Sequence, residues 1–174
     1  CANHPANIVR AQACGALANL AEDVDTHPQL VYEQTVHFVT FLMRSRHLSV
    51  YREAARCISN MLSTRSNHAL FLEEDGLRSL FRVAKSEDAQ CQLHAALGYR
   101  KLTPNVACHK GIMCSKGLKP LFFLALQVED LKVQAQAATA LRDLAANPEH
   151  KWAFYQEGGL TTVVALARKE SLDL

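Results

Sequence analysis

The stretch CHKGIMC at 108–114 places Cys108, His109 and Cys114 within seven residues. Thiolates and imidazoles are the usual ligands of zinc, and a thiolate beside an imidazole is also the pairing of a reactive cysteine. The rest of the chain argues against both. His27, His68, His109 and His150 form a series, each 41 residues after the last. The place of Cys108 is taken in the other members by Thr26, Asn67 and Glu149, none of which supplies a thiolate. Units stacked at helix-packing distance set such histidines roughly 10 Å apart, too far to share one ion at bond lengths of about 2 Å. The series reads instead as polar residues at helix starts that pack or hydrogen bond along a seam between repeats. Cys114, at helical spacing, reads as a small buried apolar group. No metal and no cofactor are expected.

Catalysis finds little else to use. The chain carries no phosphate-cradling glycine loop, no G-x-S-x-G, no H-E-x-x-H and no paired C-x-x-C. His94 is a lone helical histidine without the partner and enclosed pocket that general acid–base chemistry needs, so no enzyme is expected. Charged residues are 21 % with both signs mixed, and the net charge is +2. That is too weak for a nucleic-acid surface. No apolar run reaches the 18 or so residues of a membrane span, and any membrane contact would come through segments outside this chain. The opening CANHPANIVR is neither an initiator methionine nor a signal peptide. The expectation is a piece of a longer protein, with Cys1 only its first residue. The six cysteines sit in apolar helical text, which points to a reducing intracellular compartment, the cytoplasm first.

The elements that position these residues repeat. VRAQACGALANL at 9–20, VYREAARCISNM at 50–61, CQLHAALGYRKL at 91–102 and VQAQAATALRDL at 133–144 align at steps of 41, 41 and 42 residues. Ala13, Ala54, Ala95 and Ala137 share one position. Leu17, Ile58, Tyr99 and Leu141 share the next, and Leu20, Met61, Leu102 and Leu144 a third. Spacings of three and four make one helical face. A second element opens on Gly76, Gly117 and Gly159, where glycine suits a sharp turn between helices. Thr35 stands at the first copy, where a less tight turn is expected. Ser49, Ser86 and Asp130 are the expected N-caps of the long helices. The unit is thus short helix, turn, second helix, polar link and longer third helix. The expected division is 1–24 as a third helix, complete repeats at 25–65, 66–106 and 107–148, and 149–174 as two helices of another.

Period, three-helix composition and glycine turn resemble the armadillo repeat family over essentially the whole chain, most closely in NPEHKWAFYQEGGLTTVVALA and VQAQAATALRDLAANPE. HEAT repeats of similar length lack the short first helix and glycine turn. The resemblance implies an all-α, right-handed solenoid whose third helices line a concave, protein-binding groove. The family's groove position, commonly asparagine, reads Asn19, Asn60, Lys101 and Asp143 here. An amide offers the donor and acceptor that an extended peptide backbone needs. One turn earlier lie Gly15, Arg56, Leu97 and Thr139, without the tryptophans of import receptors. Another turn back lie Gln12, Glu53, His94 and Gln136. With Arg52, Arg56, Arg100, Lys101 and Arg142 nearby, the groove leans basic and favours an acidic or phosphorylated partner segment. The expected site is Asn19, Arg52, Arg56, Asn60, His94 and Lys101. The competing readings are that the asparagines cap or tie repeats, and that the array is architectural, assembling through its ends or convex face.

Overall fold

The computed structural model describes residues 5–114 and 117–169. Cys1, Lys116 and the closing segment 170–174 lie outside the described residues. Every regular element described is helical: α1 Pro5–Leu20, α2 His27–Tyr32, α3 Thr35–Leu42, α4 Leu48–Met61, α5 Asn67–Glu73, α6 Gly76–Ala84, α7 Ala89–Leu102, α8 Val106–Cys114, α9 Leu118–Leu126, α10 Leu131–Ala145, α11 Lys151–Gln156 and α12 Gly159–Lys169. Short 3-10 turns, Val24–Thr26 and Pro148–His150, lead into α2 and α11. The long helices pack in series, α1 on α4, α4 on α7 and α7 on α10, with α3, α6 and α9 each packed on the long helix that follows it. The product is an all-α solenoid of three-helix units.

The shared apolar face does the packing. Ala54, Ala95 and Ala137 are fully buried, and Ile58, Tyr99, Leu141, Met61, Leu102 and Leu144 are buried with them. Small residues let the helices close up while the large ones fill the gaps, each worth about 1.5–3 kcal/mol on burial. Tyr99 takes the place of Ile58 and Leu141 within the core, and burial pushes its hydroxyl pKa up. The first copy departs from expectation. Ala13 and Leu20 are exposed, Leu17 is half-buried, and α1 instead buries Ala11, Cys14 and Ala18. The face that Ala13 and Leu20 share is covered in the other units by the preceding second helix, and no described second helix lies on α1.

The turns differ from the simple glycine reading. The left-handed residue is the one before the glycine position: Gln34 at φ 55°, Asp75 at φ 55° and Gly158 at φ 87°. Thr35 therefore follows the same sharp hinge as Gly76. Glycine is required for space instead. A Cβ on Gly76 would stand 2.3 Å from the Phe71 ring, and one on Gly159 would stand 2.1 Å from that of Phe154. In the first unit the residue five places earlier is Leu30, not an aromatic, and Thr35 is buried there.

Capping also corrects the sequence reading at two of three helices. Asp130 caps α10, its Oδ1 accepting from the Lys132 N–H at 2.7 Å. Asp88, not Ser86, caps α7, accepting from Cys91 N–H at 3.0 Å, while Ser86 Oγ braces the turn by accepting from Asp88 N–H. Ser49 lies inside the first turn of α4, whose cap position is His47 without a side-chain bond.

The histidine series is the seam between units. His27 Nε2 donates to Ala21 O at 3.0 Å, His68 Nε2 to Leu62 O at 2.9 Å, His109 Nε2 to Thr103 O at 2.6 Å and His150 Nδ1 to Leu144 O at 3.1 Å. Each reaches a carbonyl at the end of the preceding long helix, where the helical ladder runs out. The other ring nitrogen reaches the next unit: His27 Nδ1 accepts from Thr64 Oγ1 at 2.6 Å and His68 Nδ1 from Asn105 Nδ2 at 3.1 Å. The next place in that register is Ala146, and His109 Nδ1 is buried without a partner.

The residue before each of the first two histidines serves the same helix end. Thr26 Oγ1 donates to Leu20 O, and Asn67 Nδ2 to Met61 O. At the equivalent place Cys108 is buried with its thiol 3.7 Å from His68 Nδ1. Cys114, the last residue of α8, is exposed, contrary to expectation. No group of three or more metal-ligating side chains occurs among the described residues. Burial pushes the Cys57 and Cys91 thiols up to about 12 and that of Cys14 to about 11, which leaves them packing groups rather than nucleophiles.

Candidate functional site

The opposite side of the long helices carries the residues singled out from the sequence, aligned across α1, α4, α7 and α10 by the 41–42-residue period. Asn19 is exposed, and Arg52, Arg56, Asn60, His94 and Lys101 are half-buried. The structure brings them to one face but gives them unequal employment.

Two of the amide-position residues tie neighbouring helices. Asn60 Nδ2 donates to Ala18 O at 3.0 Å, and Lys101 Nζ donates to Ser59 O at 2.6 Å. Arg56 repeats the motif one turn earlier, its Nη2 donating to Gly15 O at 3.1 Å. Each bond spans 41 or 42 residues, so each fastens one unit to the one before. At the fourth position Asp143 reverses polarity and accepts from Thr103 Oγ1 at 3.2 Å. Of the two asparagines read as possible ties, Asn60 makes one, and Arg56 and Lys101 make ties that were not expected. Asn60 keeps its carbonyl oxygen, and Asn19 its whole amide, without a side-chain bond among the described residues.

The basic lean is largely cancelled within the chain. Arg52 makes a two-pronged pair with Asp88, Nε to Oδ1 at 3.1 Å and Nη2 to Oδ2. Burial works against the Asp88 carboxylate, but the bonds from Arg52 and Cys91 outweigh it and hold its pKa below the ordinary range. Since Asp88 also caps α7, Arg52 serves the junction of α4 with α7. Arg56 pairs with Glu53 at 3.0 Å and Glu22 at 3.1 Å, and Arg142 with Asp143 at 2.9 Å. Arg100, exposed, and Lys101 are the cations left at the middle of the face. Burial first, then Arg100, brings Lys101 down to about 8.

His94 is held neutral. Burial first, then the nearby Arg56 charge, lowers its pKa to about 4, and its Nδ1 is buried without a partner. Gln136, at the same position of the next long helix, has its Oε1 in the same state. Between α1 and α4 a cleft of about 430 Å³ is lined by Gln12, Gly15, Asn19, Arg52, Glu53 and Arg56. A Cβ added at Gly15 would meet the Glu53 carboxylate at 3.5 Å, an ordinary contact. Such a face can exchange hydrogen bonds with an extended chain, yet it encloses no acid–base pair.

Sequence reasoning placed Glu53 and Asp143 on this face as breaks in its basic pattern, but missed Asp88 and Glu22. The i,i+3 spacing of Glu53 and Arg56 was a readable signal. Asp88 and Glu22 are 36 and 34 residues from their arginines and have no local signature.

No protein-family model matches the chain. It is 31 % identical over 113 residues to vacuolar protein 8 of Schizosaccharomyces pombe, covering 65 % of this chain and 20 % of that protein. Against vacuolar protein 8 of Aspergillus fumigatus the identity is 33 % over 110 residues, covering 63 % and 18 %. The chain thus spans about a fifth of the length of these curated relatives. A crystal structure of computationally designed armadillo repeat proteins for modular peptide recognition superposes with a TM-score of 0.87 at 20 % identity, over 95 % of this chain and 71 % of that one. A designed armadillo repeat protein in complex with the peptide (KR)4 gives 0.85 at 20 %, over 95 % and 70 %. An engineered protein gives 0.83 at 29 %, over 90 % and 39 %.

Proposed function

We propose, on the premise that the chain is an array of armadillo repeats, that it is a non-catalytic scaffold holding an extended segment of a protein partner along its third helices. The observation that carries this reading is the set of polar side chains along that one face: exposed Asn19, half-buried Asn60, and His94 and Gln136, whose Nδ1 and Oε1 are buried without a partner. Buried polar groups normally find partners. These side chains, Asn19 and Asn60 at one register of the long helices and His94 and Gln136 at another, suit the alternating donors and acceptors of an extended backbone. Designed proteins of the same fold are built for peptide recognition, which supports the same use here.

An acidic or phosphorylated segment fits only the middle of the face, at Arg100 and Lys101, since Arg52 and Arg56 are already paired. An intracellular, cytoplasmic setting suits the buried free thiols Cys14, Cys57, Cys91 and Cys108. No described helix is long and apolar enough to cross a membrane.

A peptide-display selection tests the reading, with an Asn19→Ala, Arg100→Glu variant as counter-target. Both side chains are exposed and unengaged, so the variant should fold as the parent does. Enrichment of extended motifs that the variant loses is the expected result. Motifs bound equally by both proteins would overturn the assignment of this face.

A further inference from the structure

The motif CHKGIMC lies on α8, on the seam side of the array. Between α8 and the turn that leads into α11, a pocket of about 340 Å³ is lined by His109, Lys110, Met113, Cys114, Glu149 and His150. It lies between two consecutive units, and its volume falls in the range of about 300–1,000 Å³ of small-molecule sites.

Two observations point to a ligand. His109 is 4 % exposed and its Nε2 donates to Thr103 O, so Nδ1 is the acceptor of the neutral ring. At the two earlier junctions the equivalent nitrogen is met by Thr64 and by Asn105. Here the register gives Ala146, and Nδ1 is buried without a partner. Buried acceptors normally have a donor. The second observation is a thiol on the same pocket. Cys114 is the one exposed cysteine among the described residues, whereas Cys14, Cys57, Cys91 and Cys108 are buried. Lys110, exposed, lies one turn earlier on the same helix face. Exposure and a neighbouring cation are what select a cysteine for exchange.

We propose that this pocket is a reversible thiol-modification site, in which Cys114 takes up one half of a small anionic peptide disulfide. The peptide's carboxylate lies against Lys110, and one of its N–H groups supplies the donor that His109 Nδ1 lacks. The Cys114 thiol releases its proton to water, and the thiolate attacks one sulfur of the incoming disulfide. A new S–S bond joins Cys114 to that half, the old S–S bond breaks, and the other half leaves as a thiolate that takes up a proton. The incoming disulfide is the oxidant, and excess free thiol reverses the step. This inference does not depend on the peptide-binding face.

Glutathione disulfide is the probe. The reduced chain is equilibrated with fixed ratios of glutathione and its disulfide, once folded and once in urea, then quenched with acid and mapped by peptide mass. The expected result is mixed disulfide at Cys114, with an equilibrium constant about tenfold higher in the folded chain than in the unfolded one. Lys110→Gln and Ala146→Asn should each remove most of that advantage, the first by deleting the counter-charge and the second by giving Nδ1 a donor from within the chain. Both variants should keep the helical circular dichroism of the parent. Equal constants in the folded and unfolded chains, or an advantage that survives either substitution, would overturn the proposal and leave Cys114 an ordinary exposed thiol.

Discussion

The same long helices show two different chemistries on their two sides. At the seam the same bond recurs four times, from a histidine to a backbone carbonyl six residues earlier, at His27, His68, His109 and His150. On the opposite face the equivalent positions read Asn19, Asn60, Lys101 and Asp143: Asn60 and Lys101 donate to a carbonyl of the preceding long helix, while Asp143 accepts from Thr103. The difference follows from water. A carbonyl at a buried helix end must be satisfied from within the protein, and few side chains reach it. A half-exposed face can draw on solvent, so its residues are free to vary with what they hold.

The largest test of that contrast is His68→Ala. It removes the donor to Leu62 O and the acceptor for Asn105 at once, leaving two buried polar groups unpaired. A loss of about 2–4 kcal/mol is expected in chemical denaturation, against less than about 0.5 kcal/mol for Asn19→Ala on the opposite face. Similar costs at both sites would break the contrast.

A second test uses acid. His94 has a folded pKa of about 4 against an ordinary value near 6.5. The unfolded chain therefore binds the extra proton first, and stability falls as pH drops from about 6.5 toward 4. His94→Gln, the residue found natively at positions 12 and 136, should flatten that part of the pH–stability curve relative to the parent. An unchanged slope would show that His94 is not held neutral by its site.

The smallest effect sharpens the seam itself. Ala146 stands where Thr64 and Asn105 meet the preceding histidines. Ala146→Asn should give His109 Nδ1 its missing donor and add about 0.5–1.5 kcal/mol, measured as a raised denaturation midpoint. No gain would mean that the register does not extend to the last junction.

Much of this was legible in the sequence because a repeat exposes its own constraints. The period, the three-helix unit and the buried Ala54, Ala95 and Ala137 positions follow from spacing alone. What stayed hidden depended on contacts between units. Gly76 looked like a hinge, yet the hinge is Asp75, and the glycine yields to the Phe71 ring. Arg52 looked free, yet Asp88 holds it from the next unit. Asn60 and Lys101 looked like ligands for a partner, and each already spends a donor on the helix before. Asn19 escapes that use because no described helix precedes α1.

The most direct measurement is a titration of the selected peptide into isotope-labelled protein, followed by backbone and side-chain amide chemical shifts. The account predicts shifts concentrated on the exposed faces of α1, α4, α7 and α10, with the Asn19 and Gln136 side-chain amides among the largest, and little change at Asn67 and Asn105 on the seam side. Shifts gathered instead on α5, α8 and α11 would contradict it.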